Sequence, residues 1–251
     1  MRAFAVMVYR QLKRFSRARS RVAGMIINPL IWMIFFGVGW SGVFKDAKIF
    51  GGIDYLTYLA PGIFAMTVFN QSFISGVSVI WDREFGFLKE VLVAPASRKE
   101  TIAGRIIGDS VVATVQGLVI LLLTLLLTEL RVAGILPALG VGLLLAVAFS
   151  SFGVSLATKI QSMEGFQMIM AVLMLPIIFL SGAIYPVSTM PRWMKLLAYI
   201  NPLTYAVDGA RSMLTGVEGI FPLSTDLAVL GFLALAFLGI AMFAFERSTI
   251  E

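Results

Sequence analysis

The 251 residues contain no histidine and no cysteine, and only 14% of them carry a charge. Without imidazole or thiol there is no histidine base, no thiolate nucleophile and no soft metal ligand, and no disulfide from which a redox compartment could be read. A GxxxxGK[ST] phosphate loop is absent as well, so the chain does not bind and hydrolyse ATP by that route. A serine intramembrane protease would need a histidine base and a membrane metalloprotease an HExxH motif, and neither occurs. No catalytic residue and no metal site are expected. The shortage of charge goes with 59% hydrophobic residues and a mean hydropathy of +0.93. Ordinary globular domains are ~45–50% apolar and ~25% charged. Too little polar surface remains to cover a water-facing exterior, so most of the outside must touch lipid. The net charge of +6 and a pI near 9.8 then mark a cytoplasmic membrane face rather than nucleic-acid binding.

Six stretches free of Asp, Glu, Lys and Arg are long enough to span: 22–44, 55–81, 110–128, 132–158, 165–191 and 227–245. A helix needs ~20 residues at ~1.5 Å each to cross the ~30 Å hydrocarbon layer. A seventh stretch, 196–207, is too short and is broken by Asn201-Pro202, so it reads as re-entrant or interfacial. Before the first span stand Arg2, Arg10, Lys13, Arg14, Arg17, Arg19 and Arg21 with no acid, whereas the next connection holds only Lys45 and Lys48. The positive-inside rule places the N-terminus, and after six spans the C-terminus, in the cytoplasm of a cell membrane. Inner segments then hold 14 basic residues and outer ones 6. The first twenty residues are too charged for a cleavable signal, so span one is expected to serve as its own insertion signal.

The expected fold is all-α, a single transmembrane domain over 1–251. It comprises an amphipathic interfacial helix at 1–21, spans at 22–44, 55–81, 106–128, 132–158, 165–185 and 225–245, a cytoplasmic connection at 82–105 and a re-entrant pair of helices at 186–222. In the first helix Phe4, Val8, Leu12 and Phe15 form one stripe, with Arg10, Lys13, Arg14, Arg17 and Arg21 opposite. Such a helix lies flat on the inner leaflet, as an anchor against anionic lipid or as a contact for a cytoplasmic partner. In the 82–105 connection Phe85, Leu88 and Leu92 recur at helical spacing, with a stop at Ala94-Pro95. A solvated loop has no reason to expose Phe85, Phe87 and Leu88, and a docking element does. Ser97 followed by Glu100 is a capping box, which starts the third spanning helix well inside the cytoplasm. Proline-broken backbone from Pro186 and Pro191 to Asn201-Pro202 survives at membrane depth only if buried in protein or lining a wet cavity. Asp208 and Arg211 are close enough in sequence to pair there.

Within the spans polarity is uncharged. Span two carries Met66, Phe69, Asn70, Gln71 and Phe73; span five carries Met168, Met170, Met174, Phe179 and Ser181. Met and Phe offer adaptable surfaces for a loosely specified ligand, and equally for helix packing. Mid-span amides such as Asn70 and Gln71 seek a partner, whether another helix, a second copy or a substrate.

Two separated motifs resemble one family. Arg83-Glu84-Phe85-Gly86-Phe87-Leu88-Lys89-Glu90-Val91-Leu92-Val93-Ala94-Pro95-Ala96-Ser97-Arg98 is similar to the cytoplasmic signature of the ABC-2 type transporter permeases. Leu180-Ser181-Gly182-Ala183-Ile184-Tyr185-Pro186, followed by Met190-Pro191-Arg192-Trp193 and Asn201-Pro202-Leu203-Thr204-Tyr205 with Asp208 and Arg211, resembles the same family independently. The resemblance implies an export permease that pairs with a second, most often identical, copy and binds two cytosolic ATPase subunits, which hold the ATP and magnesium. It assigns Glu84, Phe85, Gly86, Phe87, Leu88, Lys89, Glu90 and Leu92 to a coupling helix on the ATPase. It further implies a pathway along spans two and five (Met66, Phe69, Asn70, Gln71, Phe73, Met174, Phe179 and Ser181). An outer gate would be built by Pro186, Pro191, Trp193, Asn201, Pro202, Tyr205, Asp208 and Arg211. Short loops make the chain look most like the exporters of drugs and antibiotics, with a lipid-like compound also within range. A polysaccharide or lipid-linked glycan permease would carry aromatic rings along a wide channel, whereas Trp32, Trp40, Trp81 and Trp193 suit an interfacial belt. A secondary carrier without an ATPase would need an ionisable group at mid-membrane, and a non-transporting assembly factor would move no substrate.

Overall fold

The computed structural model describes residues 2–42, 47–86, 97–160 and 162–247, and among them every regular element is helical. The amphipathic opening forms α1 (Arg2–Arg17). After it α2 (Arg19–Trp32) runs on through a π-helical turn (Met33–Val38) and a last turn (Gly39–Ser41). There follow α3 (Tyr55–Glu84), α4 (Arg98–Thr124), α5 (Ile135–Lys159), α6 (Met163–Phe179), α7 (Arg192–Ile200), α8 (Pro202–Thr215) and α9 (Leu223–Glu246). Four helical stretches among the described residues are long and apolar enough to cross a membrane: Tyr55–Glu84, Arg98–Thr124, Val132–Lys159 and Leu223–Glu246. Two shorter apolar stretches, Ile27–Gly37 and Met163–Phe179, fall where the first and fifth spans were expected.

Side-chain caps set four of the helix starts among the described residues. Asp54 accepts from the Thr57 N–H at 3.0 Å, Ser97 from Glu100 at 3.4 Å, Ser162 from Gly165 at 3.1 Å and Asn201 from Leu203 at 3.0 Å. Pro202 occupies the first position of α8, where its missing N–H costs nothing. The Ser97 cap starts α4 eight residues before the expected 106–128 span. The expected fifth span, 165–185, is shorter than anticipated, because α6 stops at Phe179 and Gly182 takes a φ of +75°. Ser181, Gly182, Ala183 and Ile184 turn inward and are buried, so the run expected to end the fifth span is a packed irregular segment.

Lipid supplies no hydrophobic force between helices, so close approach through small residues decides the packing. The α3–α5 contact is the clearest case. A Cβ on Gly76 would run into the Gly153 carbonyl, and one on Gly153 would sit 2.6 Å from the Phe73 carbonyl oxygen. Ser150 Oγ donates to the Ser72 carbonyl across the same contact at 3.3 Å. Beside it Phe69, Phe73, Phe149, Phe152 and Phe166 form an aromatic cluster, with Phe69 edge-on to Phe149 at 4.5 Å.

The packed face of α1 is turned from the expected stripe. Met7 and Gln11 are buried, Leu12 is 37% exposed, and α1 lies along α4, where a Cβ on Gly104 would be 2.5 Å from the Phe4 carbonyl oxygen. Glycines at 104 and 108 let the two backbones close, which outweighs the side-chain stripe.

Alternating helix directions gather two distinct ends. At one, α1 meets the end of α3 through Arg10 and Asp82, α3 meets α5 through Arg83 and the Thr158 carbonyl, and α4 meets α9 through Lys99 and Glu246. At the other, the start of α3 meets the buried 181–184 segment and α8.

Candidate functional site

Between α2, α3, α4 and the end of α6 lies a cavity of about 340 Å³. Its apolar walls come from Pro29, Trp32, Ile63, Met66, Ile74 and Ile178. Its polar lining among the described residues is uncharged: Asn28, Thr67, Asn70, Gln71 and Gln116. Two of these amides are unsatisfied, since Asn70 Oδ1 and Gln116 Nε2 are buried without a hydrogen-bond partner among the described residues. A buried polar group left unpaired costs ~1–3 kcal/mol, so the two amides lining the cavity are under-satisfied by their neighbours. Gln71 also lines a second cavity of about 20 Å³, enough for one water, with Gln11, Arg14, Ser75, Ser78 and Asp109. The amides are therefore joined by a polar row to the end that carries α1.

That end is held by buried charge. Asp82, at the foot of α3, faces Arg105 Nη1 at 2.7 Å and Arg10 Nη2 at 3.1 Å. Arg105 also donates to Ser78 Oγ at 2.7 Å. Two arginines from two elements on one carboxylate fix α1 and α4 to the last turns of α3. Directly beyond, Phe85 is 83% exposed and Gly86 has a φ of +77°, a sharp turn out of the helix that glycine tolerates.

At the opposite end Arg211 of α8 takes the place of a keystone. Its Nη2 donates to the Gly182 carbonyl at 3.0 Å, its Nε to the Tyr58 carbonyl at 3.3 Å, and its guanidinium lies 3.7 Å from the Tyr58 ring centroid. Tyr58 Oη in turn donates to the Gly182 carbonyl at 3.0 Å and Tyr55 Oη to the Ile184 carbonyl at 3.1 Å. The expected pairing of Asp208 with Arg211 is not how these groups are used. Asp208 accepts from the backbone N–H groups of Ile220 and Phe221, each at 2.9 Å, because the chain entering α9 has orphan donors that a carboxylate satisfies. Asn201, besides capping α8, donates to the Ile177 carbonyl at 2.7 Å and ties α8 to the end of α6. Burial pushes the Tyr205 phenol above its ordinary range, with Asp226 adding to the shift, and its hydroxyl donates to the Tyr199 carbonyl at 2.6 Å.

The structure thus separates the residues singled out in the sequence. Met66, Asn70 and Gln71 line the cavity. Phe69 and Phe73 are fully buried in the aromatic cluster and do not, nor does Ser181, whose hydroxyl bonds the Ile178 carbonyl and the Ala183 N–H. Met174 packs against the core and Phe179 is 37% exposed. Trp193 is 64% exposed on α7, while Asn201, Asp208 and Arg211 are buried. Pro186 and Pro191 precede short helical turns, and Pro202 opens α8. Of the coupling residues, Glu84, Phe85 and Gly86 are described, and Phe87, Leu88, Lys89, Glu90 and Leu92 lie outside the described residues. Asn28, Thr67 and Gln116 were not singled out, although the rule that flags mid-span amides at Asn70 applies to Gln116 as well.

A sequence model of the ABC-2 type transporter family matches residues 2–215. A chain of Cyanophora paradoxa named as transport permease ycf38 is 31% identical over 229 residues, which is 90% of this chain and 77% of that one. The daunorubicin resistance ABC transporter permease protein DrrB1 of Streptomyces coeruleorubidus is 25% identical, covering 94% of this chain and 83% of its own. The inner membrane transport permease YadH of Escherichia coli K12 is 25% identical over 84% of this chain and 82% of its own. With a family match over most of its length and relatives of its own size, this multi-pass membrane chain belongs to the ABC-2 type transporter family.

Proposed function

We propose that the chain, as the membrane subunit of an ABC transporter, exports a hydrophobic or amphipathic compound with energy from ATP hydrolysed on separate cytosolic subunits. Two copies, paired as a homodimer, would form the pathway. The cavity beside α3 carries this reading, since uncharged amides in an otherwise apolar wall suit a drug-sized molecule with a few polar groups. A relative named for daunorubicin resistance supports the same class of cargo.

In this reading six helices cross the membrane, α2 and α6 among them, and both termini lie in the cytoplasm. The basic face of α1 and the charge cluster at Asp82 support that orientation. The segment from Glu84 to Leu92, of which 87–92 lies outside the described residues, would dock on the ATPase beyond the turn at Gly86, and the helices α7 and α8 dip into the outer leaflet as a re-entrant gate. Force applied beyond Glu84 enters α3, whose 30 residues run past the cavity to the Arg211 keystone. ATP and magnesium belong to the partner subunits.

Reconstitution with a candidate ATPase in inside-out proteoliposomes tests the reading. Uptake of an amphipathic dye is expected to need ATP, to stop with vanadate and to persist with a protonophore. Uptake that ignores ATP depletion and collapses with the protonophore would transfer the chain to the secondary carriers.

A further inference from the structure

We propose that the cavity between α2, α3, α4 and α6 is a binding site for an uncharged ligand that presents a hydrogen-bond donor and an acceptor together on an apolar body, and that Asn70 and Gln116 select it. As a statement about cargo, this rests on the export reading above; as a statement about binding, it does not.

Three observations converge. Asn70 and Gln116 both line the cavity, and each is a primary amide that carries a donor and an acceptor and has one atom, Oδ1 and Nε2, without a partner among the described residues, so the two side chains are free to offer the site a group of each kind. The remaining polar lining is amide or hydroxyl, from Asn28, Thr67 and Gln71, and no charged side chain among the described residues borders the cavity. An ion placed here would lose its hydration with no opposite charge from the described residues to meet it, which excludes cations and anions far more strongly than it excludes amides. Arg14 and Asp109 line the smaller cavity beyond Gln71. Finally, the volume of about 340 Å³ is that of a small-ligand pocket, and Asn28 at its rim is exposed, so a ligand has a way in beside α2. A primary carboxamide on a flat apolar frame answers all three requirements, since one group supplies both the donor and the acceptor.

Two tricyclic probes isolate the point: carbamazepine, neutral with a single carboxamide, and imipramine, of similar frame but cationic. The full chain in lipid nanodiscs is titrated with each in tritiated form, with empty nanodiscs subtracted for partition into lipid. Saturable binding of carbamazepine is expected, with imipramine at least tenfold weaker. Asn70→Leu and Gln116→Leu should each weaken carbamazepine binding about tenfold, the loss expected of one hydrogen bond to a buried group. Both substitutions remove an unsatisfied amide, so thermal melting should hold or rise. Should either variant fail to fold, the contrast between the two probes on the unaltered chain still decides.

Absence of saturable carbamazepine binding, equal binding of imipramine, or binding untouched in both folded variants overturns the site. ATP-driven transport in proteoliposomes together with any of those results removes this inference and leaves the export reading standing. Selective binding with no ATP-driven transport does the reverse.

Discussion

Single residues at the two ends of the bundle do opposite electrostatic jobs. At the foot of α3 the buried Arg105 is answered by a carboxylate, and the carboxylate of Asp82 is shared with Arg10. At the other end the buried Arg211 is answered by carbonyl oxygens and an aromatic face. A buried pair adds little net stability, but removing one partner strands the other at a cost of ~3–5 kcal/mol. Asp82→Ala should therefore lower the thermal stability of the purified chain sharply, since Arg105 is only 3% exposed. Asp82→Leu combined with Arg105→Met replaces the pair with apolar bulk and should recover most of that loss in the same melting measurement. If the single variant melts like the parent, the charges are not holding the end of α3. In the sequence Arg105 was visible only in a charge count, and Arg10 only as part of the basic face of the first helix. Arg10 and Asp82 are 72 residues apart, a pairing that no local spacing could announce.

Elements were legible where a single force dominates. The charge-free runs overlap α3, α5 and α9 to within four residues at either end, because a charge at mid-bilayer costs ~2.5–3.5 kcal/mol. The Ser97 cap was legible because its chemistry is local. Two features escaped because packing against neighbours decided them. The segment 181–184, expected to end the fifth span, is buried against α3 and tied by Tyr55, Tyr58 and Arg211. Likewise the buried face of α1 follows the glycines of α4 rather than its own stripe. The cavity was half legible: Asn70 and Gln71 were in view, and the third wall that carries Gln116 needed the fold. For the coupling element, the exposed turn at Glu84, Phe85 and Gly86 supplies the start of a surface that solvent alone does not explain. Glu84→Lys with Leu88→Asp should leave membrane insertion and melting unchanged while transport falls by about tenfold or more, the scale of losing a contact at the centre of an interface. Co-purification of the ATPase subunit should fall with it. Transport at the parental rate from that variant would remove the docking assignment.

Across the whole molecule the proposed export depends on which end faces the cytosol, because a lever would work only from the side where ATP is hydrolysed. The absence of cysteine turns this into a clean measurement, since any introduced thiol is the sole one in the chain. Phe85 is 83% exposed at the end that holds Asp82, and Trp193 is 64% exposed on α7 at the end that holds Arg211. Neither side chain is part of a buried network, so Phe85→Cys and Trp193→Cys should both insert normally. With a membrane-impermeant maleimide, Trp193→Cys should label in intact cells, and Phe85→Cys only in inside-out vesicles or after the membrane is opened. A third thiol at Glu246, beside Lys99, reports the parity of the crossings. Six crossings place it on the same side as Phe85, together with the basic face of α1. Labelling of Phe85→Cys from outside would invert the bundle, put the Asp82 cluster on the wrong side of the membrane for any cytosolic partner, and leave α3 with nothing to be pushed by.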